Sequence, residues 1–113
     1  MNSVNHLDRG VLDTLQEVME DDFPVLIETF LKDSAERISS LQRALATVDS
    51  DAVRRAAHSF KGRCSNLGVL RLAELCQEVE DRGRAGELAG LERQLVDIQQ
   101  EFSQVKTLLQ ALV

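Results

Sequence analysis

A chain of 113 residues with 43% apolar and 28% charged side chains has the size and composition of one globular domain, predicted to span residues 1–113. The net charge of −6 and the lack of Trp and Tyr argue against a nucleic-acid partner, which would require a basic surface. No apolar run could cross a bilayer and residues 1–6 do not resemble a secretory signal, so we expect a cytoplasmic protein with no membrane partner.

Helix is predicted for almost the whole chain, because Gly is sparse, Pro24 is the only proline, and apolar residues recur at steps of three and four. Residues 1–7 are expected to form a flexible N-terminus in which His6 has no role. A short amphipathic helix is predicted from Asp8 to Met19. This helix and the next carry more apolar side chains than a single buried stripe requires, so some of them could dock a partner protein. The sequence does not show which of these face outward: Leu12, Leu15, Val18 and Leu26.

The second predicted helix is long and runs from about Phe23 to Val48. Asp21 or Asp22 is available as its N-cap, and Pro24 falls in the first turn, where proline is tolerated. One stripe of this helix should face the core: Ile27, Leu31, Ser34, Ile38, Leu41, Leu45 and Val48.

Two shorter helices and a final long one complete the chain. The shorter ones are predicted at residues 50–67 and 69–82; Gly68 separates them, and Gly83 and Gly86 end the second. The last carries an unbroken apolar seam from Leu88 to Leu112. Short connections make consecutive helices antiparallel, so the predicted fold is all-α: an up-down four-helix bundle with an additional short N-terminal helix.

The two cysteines, Cys64 and Cys76, fall on inward faces of predicted helices and are interpreted as buried free thiols. The cysteines and histidines show no paired spacing typical of zinc ligands, so no metal site is predicted.

His58 is the histidine whose predicted surroundings suggest chemistry. It lies roughly 140° from the apolar side of the third helix, so its imidazole should stand in solvent. Arg54, Arg55, Lys61 and Gly62 lie about one turn away on the same face, where the cations would attract an anion. A mid-helix glycine is unfavourable by about 1 kcal/mol relative to alanine, which suggests that a partner approaches closely. On spacing alone, a merely solvated face remains an alternative. The apolar side is formed by Val53, Ala56, Ala57, Phe60, Cys64 and Leu67.

Several short segments form a pattern together. In the run Ala57–Gly62, Lys and Gly follow His58 by three and four residues, and the segment Asn66–Gly68 comes after this run. The pattern resembles that of histidine-containing phosphotransfer (HPt) domains, covers nearly the whole chain, and is most similar to free-standing bacterial members. Other residues also match the HPt pattern before and after the histidine: Phe30, Leu31, Leu41, Leu45, Asp49, Leu72, Cys76 and Glu80.

The resemblance implies that His58 is phosphorylated, that Lys61 helps to hold the phosphoryl charge, and that Gly62 gives steric access. From their place on the helix, Arg54 and Arg55 are expected to stabilise the phosphoryl group at longer range. The sequence departs from the family at two positions. Arg63 stands where many members have a small residue and is expected to alter partner contacts. Glu80 stands where some members have an assisting glutamine, whose role is not carried over.

The predicted function is therefore a phosphoryl carrier of a multistep two-component phosphorelay, without an enzymatic reaction of its own. His58 would accept the group from the receiver aspartate of a hybrid sensor kinase and pass it to a response-regulator aspartate. An exposed imidazole with a reference pKa of about 6.5 needs no general base. No cofactor is expected, because the receiver supplies the acidic pocket and Mg²⁺. The chain is expected to be a monomer.

The main alternative is a helical binding module that sequesters a signalling partner without phosphotransfer. The presence of His58, Lys61 and Gly62 together favours transfer. A metalloenzyme of bundle fold would carry paired Glu-x-x-His motifs, which the sequence lacks. A coiled-coil dimerisation segment could use the last helix, but the apolar stripes of the other helices favour burial within the chain.

Overall fold

Four helices of the computed structural model, which describes residues 5–113, form a closed ring of neighbours. The elements are α1 (Arg9–Met19), a 3₁₀ turn (Glu20–Asp22), α2 (Phe23–Ala46), α3 (Ser50–Leu67), α4 (Leu70–Ala85) and α5 (Leu91–Gln110). The helix α2 packs against α3, α3 against α4, α4 against α5, and α5 against α2, while α1 contacts α2. The prediction of an all-α four-helix bundle with a short extra helix is confirmed. Across residues 5–113, every helix is too short or too polar to serve as a membrane span.

The core lies along the predicted apolar stripes. Both thiols are buried and free, as predicted. Ser34 is buried among apolar residues of α2, and Ala56 is half-buried at the edge of the α3 stripe. The buried side chains of α3 and α5 are Val53, Ala57, Phe60, Cys64, Leu67, Leu91, Ile98, Val105 and Leu109.

The bounds of α3 match the prediction because both of its ends carry clear local signals. The Asp49 side chain accepts a hydrogen bond from the backbone N–H of Ala52 at the start. Gly68 ends the helix in the left-handed conformation, with φ 72°. Its carbonyl accepts a hydrogen bond from the N–H of Asp8, so this glycine also anchors the residues that precede α1.

The helix α2 begins at Phe23, as predicted, but its N-terminal cap and its C-terminal end differ from the prediction. Neither Asp21 nor Asp22 caps it through a side chain, because the 3₁₀ turn leads directly into the helix and Asp22 already has helical backbone angles. At the other end, α2 stops at Ala46, and Val48 adopts a positive φ of 53° and is exposed. Val48 therefore does not belong to the buried stripe.

The end of α4 also differs. The helix continues through Gly83 to Ala85, and it is Gly86, with φ 72°, that ends it. Gly83 is buried inside the helix, where a Cβ would lie 2.9 Å from the backbone nitrogen of Arg54. This glycine serves close packing of α4 on α3.

The N-terminal residues correct one expectation. Residues 1–4 of the segment predicted to be flexible lie outside the described residues. His6, however, is bound: its carbonyl accepts a hydrogen bond from the N–H of Leu70, and its Nδ1 lies 2.6 Å from Glu101 Oε2. The expectation that His6 has no role is wrong, because the backbone bonds of residues 6–8 to the α3–α4 connection bring its ring to α5.

Candidate functional site

The imidazole of His58 stands on the outer face of α3. Its side chain is 65% exposed, while its neighbours Ala57 and Phe60 are fully buried and fix which face of the helix turns inward. The predicted orientation toward solvent is confirmed. An imidazole in this position is open to an approaching partner.

A buried carboxylate on α4 contacts this exposed ring. Glu80 is 2% exposed, and its Oε2 lies 2.9 Å from His58 Nδ1. Two permanent cations contact the same carboxylate: Lys61 Nζ lies 2.7 Å from Oε1, and Arg84 donates to Oε2 at 2.8 Å. Three nitrogen donors from two helices thus converge on one buried acid.

The cations decide the ionisation of Glu80. Burial alone would raise the pKa of its carboxyl, but hydrogen bonds from Lys61, His58 and Arg84, together with the charge of Lys61, outweigh burial and lower the pKa to about 2. Glu80 is therefore an anion at neutral pH. The isolated burial of such a charge would be costly, and the convergent cations are what make it stable.

The contact with Glu80 determines the tautomer of His58. An ionised carboxylate only accepts hydrogen bonds, so the proton in this contact belongs to His58 Nδ1. In a neutral imidazole with Nδ1 protonated, Nε2 keeps its lone pair. The arrangement therefore presents Nε2 as a nucleophile without any further base.

Lys61 is held from two sides. Besides its contact with Glu80, its ammonium donates to Gln77 Oε1 at 2.9 Å, and the amide of Gln77 donates to Asp81 at 2.8 Å. Its side chain is only 25% exposed. The predicted phosphoryl-stabilising lysine is thus fixed beside His58 by residues of α4.

Arg54 and Arg55 have a different partner. Arg54 lies 2.9 Å from one oxygen of Asp51 and Arg55 lies 3.1 Å from the other. Within the described part of the chain, Asp51 is the charged group that pairs with both. The two arginines lie on the predicted side of α3, but the structure pairs them with Asp51 rather than joining them to the cluster at Glu80.

Gly62 faces open space. A Cβ built at this position would meet nothing within 4 Å, and the residue is exposed. Packing within residues 5–113 therefore gives no reason for a residue that disfavours helix. The observation agrees with a role in access to His58.

Gly83 is the residue that brings the cluster together. The lack of a side chain at Gly83 lets α4 approach the backbone of α3 at Arg54. Glu80 and Arg84, which lie on either side of Gly83 in α4, are thereby placed next to the turn of α3 that carries His58. Sequence reasoning missed Glu80 and Arg84 as site residues and interpreted Gly83 as a helix end. The sequence did contain one signal for Glu80. Leu72 and Cys76 are buried and four residues apart, so position 80, four residues further on, is expected to face inward as well. A charged side chain at a buried position requires partners of opposite charge.

An apolar groove lies where α1 and α2 meet α3. It has a volume of about 290 Å³ and is lined from α1 and α2 by Leu15, Met19, Leu26 and Phe30, with Arg63 on its rim. Arg63 Nε lies 2.6 Å from Asp33 Oδ2, which joins α3 to α2. The sequence left open which of the four docking candidates face outward. Leu15 and Leu26 line the groove, Val18 is 73% exposed, and Leu12 is excluded because it is buried in the core.

Comparison with known proteins identifies the family. The family model of the Hpt domain matches residues 25–112. A solved structure of histidine-containing phosphotransfer protein B (HptB) from Pseudomonas aeruginosa PAO1 is 47% identical, with a TM-score of 0.92 over 96% of this chain and 95% of that one. MtHPt2 from Medicago truncatula is 29% identical, with a TM-score of 0.81 over 95% of this chain and 76% of that one.

A sequence relative agrees with these structures. Histidine-containing phosphotransfer protein 2 from Arabidopsis thaliana is 30% identical over 103 residues, which cover 85% of this chain and 66% of the relative. The chain thus spans just under two thirds of that relative's length. With a family model that matches most of its length, the chain belongs to the Hpt domain family.

Proposed function

We propose that this chain is a monomeric phosphoryl carrier that accepts the group on His58 from a receiver aspartate of a hybrid sensor kinase and passes it to a response-regulator aspartate. The observation that carries the proposal is the contact between the exposed His58 imidazole and the buried, ionised Glu80. It leaves Nε2 unprotonated and accessible, which is what a nucleophile for phosphorus requires.

The proposed transfer needs no proton to leave His58. Nε2 forms a bond to phosphorus while the bond from phosphorus to the aspartyl oxygen breaks, and the aspartate departs as a carboxylate with the electron pair. The phosphorylated ring keeps its Nδ1 proton and becomes a cation, which Glu80 stabilises through the same hydrogen bond. In the second transfer, the ring leaves phosphorus as a neutral imidazole.

The negative charge of the phosphoryl group is compensated partly by the carrier and partly by the receiver. Lys61 is held within reach of the ring and would compensate part of the phosphoryl charge. Arg54 and Arg55 add positive potential from one turn away, weakened by their pairing with Asp51. The receiver supplies its acidic pocket and Mg²⁺, so the carrier needs no cofactor.

The groove beside α3 is the proposed docking surface for receivers. Its apolar lining and the exposed Val18 offer area for burial next to the helix that carries His58. Gly62 lies one turn after His58 and directly before Arg63 of the groove, and a Cβ there would meet nothing within 4 Å. The absence of a side chain would let a receiver seated on the groove approach the imidazole. Arg63 would contact the partner at the rim, which agrees with its expected influence on partner choice.

The test is transfer from phosphorylated receivers. A panel of receivers is phosphorylated with a small donor and incubated with wild type and His58→Gln, and the carrier is analysed by intact mass before and after acid treatment. An acid-labile adduct in wild type that is lacking in the variant would support the proposal and identify partners. Tight binding of a receiver without any adduct would instead support the sequestering module.

A further inference from the structure

We propose that Arg63 makes the apolar groove selective for receivers that present a carboxylate at the groove rim on α3. The inference rests on the proposed function, because it concerns which receivers fit the proposed docking surface. Among residues 5–113, the charged side chains that line the groove are those of Asp33 and Arg63. They lie on α2 and α3, respectively, and face each other across the rim.

Arg63 has hydrogen-bond donors available for a partner. Its side chain is 50% exposed, and the nitrogen that lies 2.6 Å from Asp33 Oδ2 is Nε. The terminal nitrogens carry the remaining N–H groups of the planar guanidinium, which can donate two parallel hydrogen bonds to one carboxylate. Arg63 can therefore keep its contact with Asp33 and still bind a carboxylate from outside.

The charges at this rim favour an anionic partner. Arg37, one turn further along α2, lies 3.5 Å from Oδ1 of Asp33, while Arg63 contacts Oδ2. Two arginines thus share one carboxylate, and one positive charge is left uncompensated among these three side chains. A carboxylate of the receiver would compensate this charge while apolar surface is buried in the groove beside it.

The other end of the groove has the opposite charge. The 3₁₀ turn between α1 and α2 carries three exposed carboxylates, Glu20, Asp21 and Asp22. Asp22 lies roughly 16 Å from Asp33 along the axis of α2. An acidic side chain of a receiver would be repelled at this turn and attracted at Arg63. The two ends therefore favour a single orientation of the receiver on the groove.

The test compares a donor that docks with a donor too small to need the groove. Transfer from the receivers of the panel and labelling by phosphoramidate are measured in wild type, Arg63→Gln and Arg63→Glu. For the receiver that transfers fastest to wild type, the rate at subsaturating receiver should fall about threefold in Arg63→Gln and about tenfold in Arg63→Glu. The rate at saturating receiver and the labelling by phosphoramidate should stay close to those of wild type.

Two controls separate recognition from packing within the chain. Arg71→Gln is the matched variant, because Arg71 is an exposed arginine with an acidic partner, Glu74, on a helix that does not line the groove. It should transfer like wild type. In an Asp33→Asn background, Arg63→Gln should still lower the rate. Loss of the effect there would mean that Arg63 only neutralises Asp33, which would overturn the inference.

Variants of the receiver test the chemistry of the partner. In the receiver that transfers fastest, each exposed acidic side chain outside the phosphorylation pocket is replaced by lysine in turn. One of these replacements should restore transfer to Arg63→Glu and slow transfer to wild type, because it reverses the charge that faces residue 63. Failure of every replacement to restore transfer would overturn the inference.

The outcomes distinguish this inference from the proposed function. Transfer to Arg63→Glu at the rate of wild type would overturn the role of Arg63 and leave the carrier function intact. No transfer from any receiver to wild type would contradict the carrier function, and the inference with it.

Discussion

Two histidine–glutamate pairs in this chain have similar geometry and different surroundings. His58 Nδ1 lies 2.9 Å from Glu80, His6 Nδ1 lies 2.6 Å from Glu101, and both carboxylates are buried. Glu80 is also contacted by Lys61 and Arg84, whereas among residues 5–113 the side chain paired with Glu101 is that of His6 alone. His58 stands out from a helix with 65% of its side chain exposed, and His6 is 28% exposed in a segment bound to the α3–α4 connection.

If His58 is the phosphoryl acceptor, as we propose, a histidine–carboxylate contact does not by itself make a phosphoryl-transfer site. At His58, the carboxylate fixes the tautomer and the added cations provide the potential that a phosphoryl group needs. At His6, the same contact joins the N-terminal segment to α5 and has a structural role. The cations and the exposure of the ring are therefore what distinguish the two pairs.

The largest expected effect is on phosphorylation. His58→Gln should abolish the acid-labile adduct formed with phosphoramidate, because the nucleophilic nitrogen is lost, while His6→Gln should be labelled like wild type. Intact mass of both variants, with and without acid, measures this directly. An adduct of equal yield in His58→Gln would mean that the two pairs have been assigned the wrong roles.

The next effect concerns stability in acid. Because the pKa of Glu80 is lowered in the folded protein from 4.5 to about 2, its stabilising contribution is complete above pH 4.5 and is lost as the pH falls through about 2. From about pH 6 to about pH 3, wild type should lose about 2 kcal/mol more unfolding free energy than Glu80→Gln. Urea unfolding at both pH values tests this.

Glu101→Gln is the matched control for the acid-stability experiment, since it removes the other buried glutamate and leaves Glu80 in place. It should retain the pH dependence that Glu80 causes. Equal pH dependence in wild type and Glu80→Gln would show that the cations do not hold Glu80 ionised.

An effect of similar size is expected where α4 approaches α3. Gly83→Ala should lower the unfolding free energy by about 1–3 kcal/mol, because the new Cβ would meet backbone atoms of Arg54 and Ser50 that cannot move aside easily. It should also move Glu80 away from His58 and slow labelling. Urea unfolding and the labelling rate measure the two effects.

Gly62→Ala is the counterpart on α3. Since a Cβ there meets nothing within 4 Å, this variant should gain about 0.5–1 kcal/mol of stability from higher helix propensity. If Gly83→Ala were as stable as Gly62→Ala, close packing of the two helices could not be what positions Glu80.

The smallest effect is expected at His6. His6→Gln should lower the unfolding free energy by about 0.5 kcal/mol, since a single partly exposed contact between a histidine and a carboxylate contributes little. Hydrogen exchange of the Leu70 amide, which donates to the carbonyl of His6, should increase locally. A loss of several kcal/mol would contradict the view that this pair only fastens the N-terminal segment.

The sequence predicted those parts of the fold that depend on local periodicity. The α3 bounds, its outward His58 and the seam of α5 follow from repeated spacing and clear end signals. The end of α2 at Ala46 did not follow, because Val48 adopts a left-handed conformation that is unusual for a β-branched residue.

The parts of the site that were missed depend on contacts between distant residues. Glu80 lies 22 residues from His58, and Glu101 lies 95 residues from His6, so neither contact leaves a local pattern. Arg54 and Arg55 were placed on the correct face, but the competition from Asp51 depends on side-chain conformation, which spacing does not specify. The one feature of the sequence that indicated the site was Glu80, a charged residue at a position of α4 expected to be buried.

The central claim is that Glu80 holds the proton on Nδ1 of His58 and leaves Nε2 to react. It is tested most directly by labelling the histidines with ¹⁵N, phosphorylating the chain with phosphoramidate, and identifying the phosphorylated nitrogen from its coupling to ³¹P. The account predicts a bond from phosphorus to Nε2, and a protonated Nδ1 in the chain before phosphorylation. Phosphorus on Nδ1, or a proton on Nε2 of the unmodified neutral ring, would contradict it.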